Sequence, residues 1–275
     1  MWKRINLFRK DDGMRWIYCV LIALFFCVAA IPGNAQPNPK AEKYLKILKE
    51  RPHPGYLFDR FYHAWTETAS VEELEAYLKK QAADSAEHTL LLAFFYEKEG
   101  MNDKALQRYE EALKKHPGST RVLFHKAGLE SDTLAFDKAA STLRSALALK
   151  PGLEMKLKLQ KLLGKVLVRK NAEKEALKVW GTLLSEQPED FDLREDIIEL
   201  QLAEGLYKEA IRNCSETIEK LAEKDRYRST KLHLRLGDIY RHAGRRKKAL
   251  ATYREIFSKV GSASWLEKEV LLTLK

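Results

Sequence analysis

Between Ala86 and Gly118 the sequence AEHTLLLAFFYEKEGMNDKALQRYEEALKKHPG holds two stretches in which apolar residues recur three and four positions apart. That spacing gathers side chains on one face of an α-helix, so each stretch is predicted to be an amphipathic helix. Glu99-Gly100-Met101-Asn102 breaks the pattern between them. Leu92-Ala93 and Tyr96 mark the first helix, and Ala105, Tyr109 and Ala112 mark the second. Pro117 closes the unit, because its ring and missing N–H cannot continue a helix. Much of the remaining chain copies this unit. The alanine that opens the second helix recurs at Ala105, Ala139, Ala176, Ala210 and Ala249, spaced 34, 37, 34 and 39 residues apart. Closing prolines stand at Pro117, Pro151 and Pro188. Four residues after each alanine comes a larger side chain: Tyr109, Leu143, Trp180, Cys214 and Tyr253. The large-small pair of the first helix is clearest as Leu163-Gly164 and Leu236-Gly237, the latter followed by Tyr240.

Close approach explains the residue types. Two antiparallel helices packed about 8–10 Å apart need a small side chain where their axes are nearest and a large one beside it. Each pair leaves an apolar face open, which the next pair covers. Residues 86–260 therefore resemble the tetratricopeptide repeat family. The resemblance implies an all-α fold, a right-handed α-solenoid of stacked antiparallel helix pairs whose first helices line a concave groove. It implies units at about 86–119, 120–153, 157–190, 191–224 and 230–263, within an array spanning 86–263. The second unit departs most: its turn, Ser131-Asp132-Thr133-Leu134, has no glycine, and Glu130 stands where an aromatic is usual. Extra residues after Glu219, KLAEKDRYRS, are expected to lengthen a helix or form an exposed elbow.

The ends read differently. Lys3, Arg4, Arg9, Lys10 and Arg15 precede the uncharged apolar run Trp16 to Ile31, which Pro32-Gly33 breaks before the small residues around Ala35. This is the layout of a secretory signal peptide over residues 1–35. Sixteen apolar residues fall short of the roughly 20 that comfortably span a bilayer, so cleavage is expected, with a membrane anchor at 16–31 as the alternative. A linker at 36–40 leads to N-terminal helices over 41–85. There Tyr56–Trp65 and Val71–Ala82 are expected to form a degenerate capping repeat, with Ser70 and Glu73 as a capping box. At the other end, Trp265, Leu266, Val270, Leu271 and Leu274 mark a helix over 264–275, read as the start of a further unit and a sign that the natural chain continues.

Composition adds little to this picture: 45% hydrophobic and 32% charged residues suit a helical protein. The formal charge is +10, and removal of residues 1–35 leaves 44 basic against 37 acidic groups, or +7. That excess is spread over many helices without a nucleic-acid-binding motif or basic tail, so no nucleic-acid partner is expected. No phosphate loop, HExxH, nucleophile elbow or Cys-x-x-Cys is present, so neither enzyme activity nor a cofactor is expected. His53, His63, His88, His116, His125, His233 and His242 are scattered without common ligand partners. After signal removal Cys214 is the single cysteine, set among Ile211, Ile218 and Leu221 as a small core residue.

Charge patterning is more informative. Lys158, Lys161, Lys165 and Arg169 lie three or four apart and share one helix face, with Leu159, Leu162, Leu163 and Val166 on the other side. Asp192, Glu195, Asp196 and Glu199 line one side of the equivalent helix in the next unit. The family resemblance turns both stripes toward the groove, where they either pair with each other or present a polarised surface to a charged peptide. One subgroup of the family clamps the C-terminal carboxylate of a chaperone peptide with lysines, asparagines and an arginine. Lys161, Lys231 and Arg235 stand at matching basic places, but Lys165 and Asp196 replace the asparagines, and an acidic residue there would repel a carboxylate. The candidate groove set is thus Lys158, Lys161, Lys165, Arg169, Asp192, Glu195, Glu199, Lys231 and Arg235. The resemblance implies a non-enzymatic scaffold binding a protein or peptide, and the signal-peptide layout of residues 1–35 implies an expected location in the periplasm or outside the cell. The alternative is an assembly module of a larger envelope protein or complex.

Overall fold

The structure, a computed structural model, describes residues 35–82, 86–221 and 224–260. The expected signal segment, except Ala35, and the expected helix at 264–275 lie outside the described residues. Among the described residues there are thirteen α-helices and no strand. They fall into two compact units, one ending at His116 and the other beginning at Pro117.

The first unit contains α1 (Pro39–Glu50), α2 (Tyr56–Thr66), α3 (Val71–Ala82), α4 (Ala86–Lys98) and α5 (Asn102–Lys115). Pro39 opens α1 where a missing N–H costs nothing, and the Asn38 side chain accepts from the Ala41 N–H at 2.9 Å. The other end of that amide donates to the Ala64 carbonyl, so one cap also fastens α1 to α2. At α3 the capping box is formed: the Glu73 N–H donates to Ser70 Oγ at 3.2 Å, and the Ser70 N–H donates to the Glu73 carboxylate at 2.8 Å. The interior is aromatic. Phe58 meets Phe61 and Phe94 at centroid distances of 5.9 and 6.0 Å, and Trp65 lies 4.9 Å from Tyr77. Such tilted and edge-on pairs add to the burial of large rings. Tyr96 donates to Glu75 at 2.8 Å and Tyr109 donates to Glu97, so both buried hydroxyls are satisfied.

The second unit contains α6 (Thr120–Asp132), α7 (Phe136–Ala148), α8 (Leu153–Arg169), α9 (Glu173–Glu186), α10 (Phe191–Ala203), α11 (Tyr207–Leu221), α12 (Arg226–His242) and α13 (Arg246–Val260). Successive helices pair as α6 with α7, α8 with α9, α10 with α11 and α12 with α13. Ala139, Ala176 and Ala210 are wholly buried and Ala249 nearly so, which places each at the tight contact its spacing predicts. The glycines of the large-small pairs show how tight it is. A Cβ on Gly164 would lie 2.1 Å from the Trp180 indole nitrogen, and one on Gly237 would lie 2.3 Å from the Tyr253 ring.

The two irregular places in the sequence have distinct solutions. Gly205 and Gly244 turn the chain with positive φ, and in the second repeat Leu134 takes the same conformation at φ 63°. The turn bond survives there too, since the Ala135 N–H donates to Glu130 O at 2.7 Å, as Leu206 donates to Gln201 O at 2.8 Å. Glu130, in the aromatic's place, is buried but accepts from Thr142 Oγ1 at 2.8 Å. The extra residues after Glu219 lengthen a helix: α12 has 17 residues, and Asp225 caps it by accepting from the Arg228 N–H at 2.9 Å.

Candidate functional site

Within the second unit, the first helices α6, α8, α10 and α12 carry the charged stripes, and two depressions lie along them. The first, about 520 Å³, is lined by Phe124 of α6, by Lys158, Lys161, Leu162 and Lys165 of α8, and by Asp196, Glu199, Leu200 and Ala203 of α10. The second, about 320 Å³, lies between α10 and α12 and is lined by Glu195, Ile198, Glu199, Lys231, Leu232, Leu234, Arg235 and Asp238. Glu199 borders both. The heptad-like spacing within each helix supplies this arrangement. Residues three and four apart project to one side, so a stripe on one helix faces the stripe on the next.

Most of the charges facing one another are paired across repeats. Lys161 reaches Asp196 at 2.8 Å, and Arg169 holds Glu204 at 3.1 Å. From the other side Arg228 grips both Asp192 and Glu195, and Arg235 grips Glu199. Partial burial opposes the charge on Arg228, but its hydrogen bonds to Glu195 and Asp192 hold the guanidinium above its ordinary pKa. The carboxylates of α10 are thus neutralised by cations from α8 and α12. Lys158 pairs within its own helix, with Glu154 at 2.6 Å. Lys231 lies over the Tyr227 ring at 5.1 Å. Lys165 differs from these: it lines the first groove, and no carboxylate among the described residues forms an ion pair with it.

The sequence-derived candidates therefore divide. Lys158, Lys161 and Lys165 line the first groove, Glu195, Lys231 and Arg235 the second, and Glu199 belongs to both. Arg169 and Asp192 serve as pairing partners outside the two linings. Four groups went unforeseen: the apolar residues Phe124, Leu162, Leu200 and Ala203 as a lining, Arg228 as a double clamp, Glu204, and Asp238. Asp238 accepts from the Tyr253 hydroxyl at 2.8 Å, and burial foremost pushes that hydroxyl up to about 12. Beside the second groove, Cys214 donates to Leu232 O at 3.4 Å, and burial pushes its thiol up to about 12, which leaves it a core residue and not a nucleophile. Among the described residues, no three His, Cys, Asp or Glu side chains are placed to hold a metal ion. Nor is any described helix long and apolar enough to cross a membrane.

Tetratricopeptide-repeat models match residues 86–129, which run from the first unit into the second, and residues 232–260 of the second. No curated protein matches the chain. Among solved structures, it is similar to a tetratricopeptide repeat protein from Parabacteroides merdae, with 18% identity, 82% of each chain covered and a TM-score of 0.51. It is also similar to PilW, described as a widely conserved type IV pilus biogenesis factor. There the identity is 16%, 85% of this chain and 99% of the other are covered, and the TM-score is 0.52. These likenesses agree with the helix pairs described above: the fold is all-α, built of successive helix pairs as in tetratricopeptide repeat proteins.

Proposed function

We propose that this chain is an exported, non-enzymatic scaffold that captures a segment of a partner protein in the groove formed by α6, α8 and α10. The observation that carries the reading is the contrast within that groove. Its lining holds the apolar Phe124, Leu162, Leu200 and Ala203, while Lys165 beside them forms no ion pair with a carboxylate among the described residues. An apolar side chain seated against that lining would remove non-polar surface from water, at roughly 25 cal/mol per Å². A neighbouring acidic residue would meet Lys165, whose ammonium pairs with no carboxylate among the described residues. Lys161 is less available, because Asp196 already holds it at 2.8 Å. The expected ligand is therefore a peptide carrying a large apolar residue close to an Asp or Glu. The export part of the reading rests on the basic start, apolar run and small residues of 1–35.

Selection from a displayed random-peptide library tests the binding part. Wild-type protein should enrich peptides with an acidic residue beside a large apolar one, and the Leu200→Asp variant should lose them. No enrichment, or enrichment that the variant retains, would contradict the reading. Export has a separate test: the secreted protein should begin at Gln36, and an intact Met1 by mass spectrometry would favour the anchored alternative.

A further inference from the structure

We propose that the exposed face shared by α1 and α2 is a docking surface for an anionic lipid bilayer. It lies in the first unit and involves no residue of the groove. Helix periodicity builds it from two sides. Lys40, Lys43, Tyr44 and Ile47 are related by steps of three and four along α1, and Tyr56 and Arg60 by a step of four along α2. Arg60 joins the two sides. Its Nε donates to the Tyr44 hydroxyl at 3.4 Å, and its guanidinium lies 5.8 Å from the centroid of that ring. Arg60 foremost, with Lys40 and Lys43, holds the Tyr44 hydroxyl below its ordinary pKa, so three cations act on one phenol. The guanidinium is held above its own ordinary pKa by Tyr44 first and then by Tyr56, which sets both phenols beside Arg60.

This face contributes little to the core. Tyr56 is 79% and Ile47 43% exposed, whereas Phe58, Phe61 and Trp65 of the same helix pair are buried. Its cations also outnumber the acids left to meet them. Lys98 takes Asp59 at 2.6 Å and Lys40 takes Glu67, while Lys43 and Arg60 form no ion pair among the described residues. A tyrosine has an apolar ring and a polar tip, which suits the boundary between hydrocarbon and headgroups. Cations beside such a ring attract anionic lipid. Exposure of the ring favours a bilayer over a folded partner. A ring standing out of the surface needs a matching recess in a protein, but a headgroup layer yields around it. Such a contact lies along the bilayer and needs no spanning helix.

Photo-crosslinking in the full chain tests this. Benzoylphenylalanine in place of Tyr56 keeps an aromatic ring there and should crosslink to lipid in vesicles of phosphatidylglycerol and phosphatidylcholine. In vesicles of phosphatidylcholine alone the yield should be at least about tenfold lower. A Lys43→Glu/Arg60→Glu change, made only at exposed positions, should lower the yield on anionic vesicles by a similar factor, with the melting temperature unchanged. Lys43→Gln, which leaves the contact between Arg60 and Tyr44 in place, should lower it about fivefold. No lipid adduct on anionic vesicles would overturn the proposal. So would a yield indifferent to lipid charge or to these substitutions, as insertion of residues 16–31 alone would give. A glutamate-rich peptide that crosslinks at position 56 where vesicles do not would assign the face to an acidic protein and overturn it too.

Discussion

The two grooves of the second unit lie on the same kind of helix face, one repeat apart, and share Glu199, yet they differ in chemistry. In the second, arginines from α12 close on the α10 carboxylates: Arg228 takes two and Arg235 a third. In the first, lysines face the same helix across a lining of Phe124, Leu162, Leu200 and Ala203, and Lys165 takes no carboxylate among the described residues. A guanidinium presents several donors in a rigid fork and can satisfy two acids at once, whereas an ammonium acts as a point charge. The comparison shows that a charged stripe alone does not make a ligand site. Where charges are stoichiometrically matched across repeats, they hold the array together. Where a cation is left over beside apolar surface, the array has something to offer a partner.

The largest effect should come from the contacts beneath both grooves. Gly164→Val and Gly237→Val each place atoms inside an aromatic ring that packs directly on the glycine. Each should cost about 3 kcal/mol or more in urea denaturation, as overpacking a tight contact does. Ala176→Arg should do at least as much, by adding volume and burying a charge. A stability within about 0.5 kcal/mol of wild type for any of the three would mean that the helix-pair register is misassigned.

Alkaline pH should weaken the second-groove side next. The folded pKa values of Tyr253 and Cys214 are raised to about 12 from ordinary values of 10.0 and 9.0. A raised folded pKa means that the native state holds the proton more tightly. The stabilisation is therefore complete below pH 9 and declines as pH rises through the window to about 12. Melting temperature should fall over that window, and a Cys214→Ser/Tyr253→Phe variant should show a shallower fall. Identical slopes for the two proteins would contradict the assigned burial.

Arg228→Gln should have a smaller effect, because exposed or half-exposed ion pairs contribute roughly 0–1 kcal/mol each. It releases Asp192 and Glu195 and should turn the second groove from neutral to acidic, so that a lysine-rich peptide ignored by wild type begins to bind at low salt. The smallest stability effect should belong to Lys165→Glu, within about 0.5 kcal/mol, since no ion pair among the described residues is broken. Lys161→Glu, which faces Asp196 at 2.8 Å in the native protein, should lower stability more. Equal melting temperatures for the two lysine variants would erase the distinction drawn between them.

The helix pairs were legible because close approach restricts residue choice. Ala139, Ala176, Ala210 and Ala249 had to be small, and they stand at countable intervals. The lysine stripe was legible because one helix's periodicity places Lys158, Lys161 and Lys165 on one side. Arg228 was not, because the extra residues before it shift it out of the repeat's count, although it meets acids of α10 all the same. The apolar lining was also hidden. Phe124, Leu162 and Leu200 come from three different helices, and in sequence each looks like one more core residue. The Leu134 turn was a departure in sequence only: without glycine, the backbone still adopts the left-handed conformation that Gly100, Asn171, Gly205 and Gly244 take at the corresponding turns.

The most direct test of the account uses a peptide selected on the wild-type protein, carrying an acidic residue beside a large apolar one. Its affinity would be measured by fluorescence anisotropy at low salt against wild type, Lys165→Glu and Arg228→Gln, with melting temperatures taken on the same samples. Exposed charges are screened beyond about 10 Å at 0.1 M salt, so the comparison is sharpest below that concentration. The account predicts that Lys165→Glu weakens binding about tenfold or more with an unchanged melting temperature, a loss of about 1.4 kcal/mol in binding, while Arg228→Gln leaves this peptide's affinity as it was. Equal affinity for wild type and Lys165→Glu, or a loss confined to Arg228→Gln, would contradict the assignment of the α6–α8–α10 groove as the binding site.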